Sequence, residues 1–357
     1  MNTGIPVREH PSFRTAHVVR TVRTGTSGAT VRIVRQPDGQ LLAVKTATNP
    51  RVPAHAQAAA RKSIEPFFGS RLPEVFFAGS IYGTDTLITR CPSTTTLADA
   101  VHNQGTHGPA PAVWKDVVTM LGQVWQRTAE PGFDMSSATR KHQLRWQRGT
   151  TGLRYALHQA GLPAPLSRHV VVNDIDHGPL NQILNQLASI PAPTIHVACQ
   201  GDPQPRNILL DPANHWHLVD WEWAGLHQDW RMMTSHLVGW WHVEDLLAHA
   251  HGDATLSPSA LTLQYEAPET TLPTAWTAPV VDAFSQMTSA THHERDLTAL
   301  ARHTAMLLLR EIPKSAAAGR EHQLAPLLGE ATRLIRDMAH PLLSPFAPPQ
   351  PTSGSRP

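Results

Sequence analysis

Cysteine, lysine and long apolar runs are scarce in this 357-residue chain. Its two cysteines, Cys91 and Cys199, lack metal-type spacing and sit in or beside apolar runs. They read as buried free thiols, which excludes a disulfide scaffold and points to a reducing compartment. No run approaches the roughly 18 apolar residues of a membrane span, since the best candidate, 232–243, is broken by His236 and His242. The first residues hold no apolar leader segment. A cytoplasmic protein without membrane contact is the expectation. Charge of one sign is missing as well: 30 Lys and Arg face 28 Asp and Glu, a net of +2. That balance gives no field to attract nucleic acid or an anionic surface. With 41% hydrophobic and 16% charged residues the chain is globular, and long enough for a sizeable core. Histidine is plentiful, but the one adjacent pair, His292-His293, diverges around a helix axis and makes no metal site.

What is present centres on residues 194–230. A β-branched run at 194–198 leads into a polar loop carrying Asp202 and Asn207, then a short apolar strand at 208–210. Asp211-Pro212-Ala213-Asn214 is turn chemistry, so a second strand at 217–219 folds back as a hairpin and ends in Asp220. The hairpin brings Asp220 beside the loop. Two carboxylates and an amide oxygen then converge: a base and two hard oxygen ligands for Mg²⁺. Phosphoryl transfer uses that set, because its catalysis is mostly positioning and neutralisation of phosphate charge.

The first ninety residues read as a small sheet. Strands fall at 17–23, 29–35 and 40–45, with Thr24-Gly25-Thr26-Ser27-Gly28 between the first two and Pro37-Asp38-Gly39 between the next. Glycines and a small serine let backbone N–H groups approach phosphate closely. Lys45 closes the third strand, conspicuous in a chain with lysine only at 45, 62, 115, 141 and 314. An alanine-rich helix at 53–68 follows, and strands at 74–81 and 85–89 complete five.

Gly-Asp at 201–202, Asn207, and thirteen residues later an apolar strand capped by Asp220-x-Glu222 together resemble the catalytic core of the aminoglycoside phosphotransferase family. That family includes choline, homoserine, fructosamine and macrolide kinases and is related to the protein kinases. The segment from Gly25 to Val31, with Lys45 seventeen residues after Gly28, is similar to the phosphate loop of the aminoglycoside 3′-phosphotransferases. The resemblance implies an α+β protein kinase-like fold in two lobes: a nucleotide lobe at 1–90 with five antiparallel strands and one helix, a hinge at 91–95, and a mostly helical catalytic and substrate lobe at 96–344. It implies ATP and Mg²⁺, with Asp202 taking or orienting the acceptor hydroxyl's proton and Asn207 and Asp220 holding the metal. Gly25, Ser27, Gly28 and Lys45 would hold the phosphates, and the backbone around Arg90 and Cys91 would read the base. Glu222 would face the metal or back up its ligands. Asp229-Trp230 resembles the family's later helix-entry aspartate.

Two positions depart from the family. Gln200 stands where the loop has histidine; its amide both donates and accepts, so it can prop the loop. The helix glutamate that pairs with the lysine falls on Arg61, and Glu65 is the sole carboxylate between Lys45 and Glu74. Either the register slips one turn and Glu65 serves, or the ion pair is absent.

Beyond the loop, helices are expected at 96–101, capped by a preceding threonine, and at 113–127, 133–162, 181–187, 232–250, 280–286, 297–312 and 324–338. Residues 251–278, rich in Pro, Thr and Ser, read as an exposed connection or lid, and 345–357 as a disordered tail. After Trp230 there are 12 acids against 9 Lys and Arg, with Glu244, Asp245, Glu266 and Glu269 available to ammonium groups of an acceptor. The reading is a kinase of a small hydroxylated molecule, an aminoglycoside or related natural product leading and choline or homoserine as alternatives. A nucleotide-binding scaffold without turnover competes with it. A protein kinase does not fit, because 220–229 passes straight into a helix with no room for an activation segment.

Overall fold

The computed structural model describes residues 16–22, 29–104, 108–131, 135–162, 166–267, 273–289 and 291–347. In chain order the strands and helices are β1 (His17–Val22), β2 (Thr30–Arg35), β3 (Leu41–Ala47), α1 (Ala54–Phe68), β4 (Val75–Ile81), β5 (Thr84–Arg90), α2 (Leu97–Gln104), α3 (Ala110–Thr128), β6 (Glu130–Pro131), α4 (Met135–Gln159), β7 (His169–Val172), β8 (Ile175–Pro179), α5 (Leu180–Ala188) and β9 (Ile195–Cys199). They continue with β10 (Ile208–Leu210), β11 (Trp216–Leu218), β12 (Gly225–Gln228), α6 (Trp230–His249), β13 (Gly252–Leu256), β14 (Ala260–Tyr265), α7 (Thr274–Met287), α8 (His293–Ala317) and α9 (Leu324–Arg336). Two compact units result, Met1–Val117 with Ala198–Gln228, and Val118–Val197 with Asp229–Pro357. The stretch at 91–95 lies inside the first. Among the described residues no helix is long and apolar enough to cross a membrane.

The first unit is built on an antiparallel five-stranded sheet in the order β1-β2-β3-β5-β4. Alternation sends Val34, Leu42, Val44 and Ile88 to one face, where Phe77 and Ile81 pack on them. Five alanines with the straight-chain Gln57, Arg61, Lys62 and Glu65 favour α1, and its first free N–H, on Ala54, is taken by Asp85 Oδ2 of β5 at 2.8 Å. That one bond ties the helix start to the sheet. Gly69, at φ +52°, ends the helix in a conformation few side chains adopt. Thr96 and Asp99 cap α2 reciprocally, each side chain accepting from the other's backbone N–H at 3.0 Å, so the expected threonine cap is a two-residue box.

The same unit holds the β10–β11 hairpin, registered Ile208↔Leu218. Asp211 makes its turn, its Oδ1 accepting from the N–H groups of Ala213 (2.9 Å) and His215 (2.8 Å). The second strand begins at Trp216, one residue earlier than the pattern suggests. Trp216 is buried because its indole N–H finds Asp116 and Arg71 lies over its ring at 4.3 Å.

The second unit packs α4, α6, α8 and α9 with a four-stranded sheet ordered β13-β14-β7-β8. Residues 251–265, expected as part of a lid, instead form a hairpin whose second strand runs parallel to β7. Thr262 and Gln264 alternate there with buried Leu261, Leu263 and Tyr265, a strand pattern masked by composition. Of the expected disordered tail, 348–357 lies outside the described residues, and 345–347 is packed into the unit. Leu343 and Phe346 are buried, and His293 reaches the Phe346 carbonyl at 2.8 Å.

Two buried polar clusters organise this unit. Arg231, fully buried, is held by Asp229 through both Nε (2.9 Å) and Nη2 (2.8 Å), by Asp296 (3.2 Å) and by the Pro191 carbonyl (2.6 Å). Asp229 also accepts from the Arg231 N–H at the start of α6, capping that helix. The Glu330 carboxylate meets four donors: Tyr265 Oη (2.5 Å), Arg333 (2.6 Å), His340 Nε2 (2.7 Å) and His242 Nε2 (3.2 Å). Ligand-type atoms of His242, Glu330 and His340 lie within 4.8 Å of one another. The Leu342 N–H points at His340 Nδ1 (3.2 Å), which places that ring's proton on Nε2, facing the carboxylate. With Arg333 supplying the positive charge, the cluster is a satisfied hydrogen-bond network rather than a metal centre.

Candidate active site

Gly201 and Asp220 fix the backbone on which the site stands. Gly201 sits at φ +101°, and a Cβ there would lie 2.3 Å from the Trp223 carbonyl carbon and oxygen. Only glycine lets the loop and the segment after β11 touch. Asp220 itself adopts the left-handed conformation, φ +61° and ψ 67°, which costs a non-glycine residue about 1 kcal/mol. That turn ends β11 and starts the short 3₁₀ segment Trp221–Trp223.

Gln200 locks these two pieces together. Wholly buried, it donates from Nε2 to the carbonyls of Val219 (2.5 Å) and Asp220 (2.9 Å), while its Oε1 accepts the Asp202 N–H at 2.8 Å. The amide donates to one piece and accepts from the other, the two capacities the reading of glutamine for histidine draws on.

The three expected site residues are joined through this frame. Asn207 Nδ2 donates to the Asp202 carbonyl at 2.9 Å, which leaves Oδ1 as the atom able to accept or ligate. Its own carbonyl takes the Val219 N–H at 2.9 Å, tying it to the strand that ends in Asp220. Gln204 Nε2 donates to Asp202 Oδ2 at 3.1 Å and orients that carboxylate. Asp220 Oδ1 meets Lys45 Nζ at 2.8 Å, a contact between residues 175 positions apart in sequence. Its side chain is 40% exposed.

Lys45 lies on β3 between Ala43 and Ala47, paired with Val31 and Leu87. Three groups surround its ammonium: Asp220, Gln57 Oε1 at 3.2 Å and Glu222 at 3.7 Å. Burial works against the charge, but Asp220 first and then Glu222 outweigh it and hold the ammonium above its ordinary range. Arg51 lies 3.9 Å from Glu222 and 5.6 Å from the centre of the Trp223 ring, and with Lys45, Gln57, Asp85 and Glu222 it lines a pocket.

Other expectations need correction. Glu65 does not reach Lys45; it pairs with Arg61 at 3.0 Å, one turn back on α1. Arg61 in turn donates to the carbonyls of Pro73 (2.8 Å) and Leu72 (3.0 Å), closing the helix-to-strand junction. The register slips the other way, one turn toward the N-terminus, to Gln57. Nothing distinguished this glutamine in an alanine-rich helix except its position one turn before Arg61. The N–H groups of Arg90 and Cys91 are both committed to the sheet, to Glu74 O (2.8 Å) and Leu41 O (2.9 Å), so neither offers a donor to a base. Burial pushes the Cys91 thiol up to about 11. Gly25, Ser27 and Gly28 lie outside the described residues. Of the acids considered for an acceptor, Asp245 accepts from His249 on its own helix at 3.0 Å, Glu266 is exposed, and Glu269 is outside the described residues.

Neither a family model nor a curated protein matches the sequence. Solved structures do. An amicoumacin kinase in complex with AMP-PNP and Ca²⁺ superposes with a TM-score of 0.50 at 9% identity, over 90% of this chain and 89% of that one. This chain has the fold of a small-molecule kinase. An aminoglycoside-3′-phosphotransferase of type VIII (TM-score 0.47, 19% identity, 85% of this chain, 95% of that) and a Plasmodium vivax ethanolamine kinase (0.47, 8%, 94% and 85%) are also similar. At these identities the likeness is one of fold.

Proposed function

We propose that the chain is an ATP- and Mg²⁺-dependent phosphotransferase of the cytoplasm that moves the γ-phosphate to a hydroxyl of a small molecule. The observation that carries the reading is the 2.8 Å contact of Lys45 with Asp220, on a frame that also joins Asp202 and Asn207. In this scheme Lys45 directs its ammonium at the α- and β-phosphate oxygens. Asp202, oriented by Gln204, accepts the proton of the acceptor hydroxyl as its oxygen bonds to the γ-phosphorus. The bond to the β-phosphate's bridging oxygen breaks and ADP leaves. Asn207 Oδ1 and the Asp220 carboxylate fit Mg²⁺, being hard oxygen donors on a pinned backbone. When bound, that ion neutralises phosphate charge. An aminoglycoside or related natural product is the leading acceptor, in keeping with the phosphate-loop resemblance.

The test needs no acceptor. Purified protein should hydrolyse ATP slowly in Mg²⁺, and Asp202→Asn should abolish that turnover. Bound ATP with no turnover in the wild type would favour a nucleotide-binding scaffold, a reading that draws on Gln57 standing where an acid would serve the lysine.

A further inference from the structure

The geometry points to Glu222 as the residue that positions Lys45, relocating to the segment after β11 a duty that α1 cannot perform with its own side chains. This rests on the phosphotransferase reading of the same site. Helix α1 presents Lys45 with an amide, not a carboxylate: Gln57 Nε2 is fixed on the Val52 carbonyl at 2.7 Å, which aims Oε1 at Nζ, 3.2 Å away. The helix's one carboxylate is turned to Arg61. A neutral amide gives direction to an ammonium but no compensating charge, and a lysine this enclosed requires charge.

Two carboxylates supply it, Asp220 at 2.8 Å and Glu222 at 3.7 Å. They are not equivalent. Asp220 is 40% exposed and is the residue proposed to face Mg²⁺; once it ligates a divalent cation, much of its negative charge is engaged there. Glu222 has a side chain only 7% exposed and lies between two cations, Lys45 at 3.7 Å and Arg51 at 3.9 Å. In the metal-bound state Glu222 is therefore the anion that keeps Lys45 extended toward the phosphates, with Gln57 steering it from the opposite side. Glu222 is a positioning residue. It acts on nucleotide through Lys45.

Charge relocation tests this. Glu222→Gln should raise the ATP KM at least tenfold with a smaller fall in kcat. Placing the acid on the helix instead, in Gln57→Glu/Glu222→Gln, should bring KM back to within about threefold of wild type, because residue 57 already points at Nζ. Glu65→Gln, which removes the helix's own carboxylate where it is turned to Arg61, should change KM less than twofold. An unchanged KM in Glu222→Gln, a double variant that folds with the wild-type melting temperature yet shows no rescue, or a tenfold rise from Glu65→Gln would each overturn the assignment. Where Glu222→Gln does not fold, Glu222→Asp decides: it keeps the charge but withdraws it by one methylene, so KM should rise severalfold, and an unchanged KM would overturn the assignment. Calorimetric binding of MgATP separates this proposal from the one beneath it. The same pattern in Kd without turnover would sustain Glu222 and sink the enzymatic reading. Turnover with indifference to Glu222→Gln would do the reverse, and a wild type that binds no MgATP would overturn both.

Discussion

Arg231→Met should be the most destabilising of the simple substitutions in the second unit, and more so than Asp229→Asn. The reason is charge arithmetic in a dry place. Arg231 is wholly buried, with Asp229 and Asp296 on either side at 2.8 and 3.2 Å and both carboxylates nearly as enclosed. Removing the guanidinium strands two acids; Asp296 keeps the Thr288 hydroxyl at 2.8 Å and Asp229 keeps His303 at 3.3 Å. Breaking a buried pair by removing one partner costs about 3–5 kcal/mol. Asp229→Asn instead leaves one acid with one base, so its cost is that of imperfect hydrogen bonds, about 1–3 kcal/mol. At about 2–4 °C per kcal/mol the arginine variant should melt roughly 10 °C below wild type. The pH dependence has a definite sign. Although burial alone would raise it, Arg231 and His303 hold the Asp229 carboxyl well below the usual carboxylate range. Its contribution is thus present above about pH 4, the unfolded value, and is lost as pH falls below it. Scanning calorimetry at pH 7 and at pH 3 checks both statements. An Arg231→Met melting temperature within 2 °C of wild type, or Asp229→Asn as the more damaging change, would refute the reasoning.

Gly201→Ala should lose about 3 kcal/mol and nearly all turnover, since a methyl 2.3 Å from the Trp223 carbonyl displaces the segment bearing Asp220 and Glu222; denaturant unfolding alongside ATP turnover measures both. Gln200→His should fold with a cost of about 1 kcal/mol, because one ring can replace at most two of the three hydrogen bonds Gln200 makes. Complete loss of turnover in a folded Gln200→His protein would show a site built around the amide. His142 is held at about 4, burial first and His303 second keeping it neutral. A folded value below the unfolded one means stability falls as pH drops from about 6.5 toward 4, by up to a few kcal/mol. His142→Leu should flatten the melting temperature over that interval, and an unchanged slope would contradict it.

Much of the first unit was legible because its signals are local. Alternating strands, Asp211 turn chemistry and the Gly201-Asp202 pair each state a backbone requirement in one or two residues. The frame joining Asp202, Asn207 and Asp220 follows from a hairpin, and hairpins are short-range. The helix partner of Lys45 was not legible, since a helix fixes spacing but not which turn faces a distant strand. Gln57 and Arg61 differ by one turn, and only Arg61's bonds to the carbonyls of Leu72 and Pro73 decide between them. The β13–β14 hairpin was missed for another reason. Its partner is β7, some ninety residues earlier, and its polar face resembles a loop when read alone. Gln204 carried no signal beyond its place in the loop.

Asp220 is the charged metal ligand of the proposed phosphoryl-transfer site. The most direct measurement is Mg²⁺-dependent ATP turnover in Asp220→Ala beside Asn207→Ala and wild type, each with its melting temperature. Turnover abolished in Asp220→Ala and partly retained in Asn207→Ala, where a water can take the amide's place, is the expected result. Wild-type metal-dependent turnover in a folded Asp220→Ala protein would contradict it.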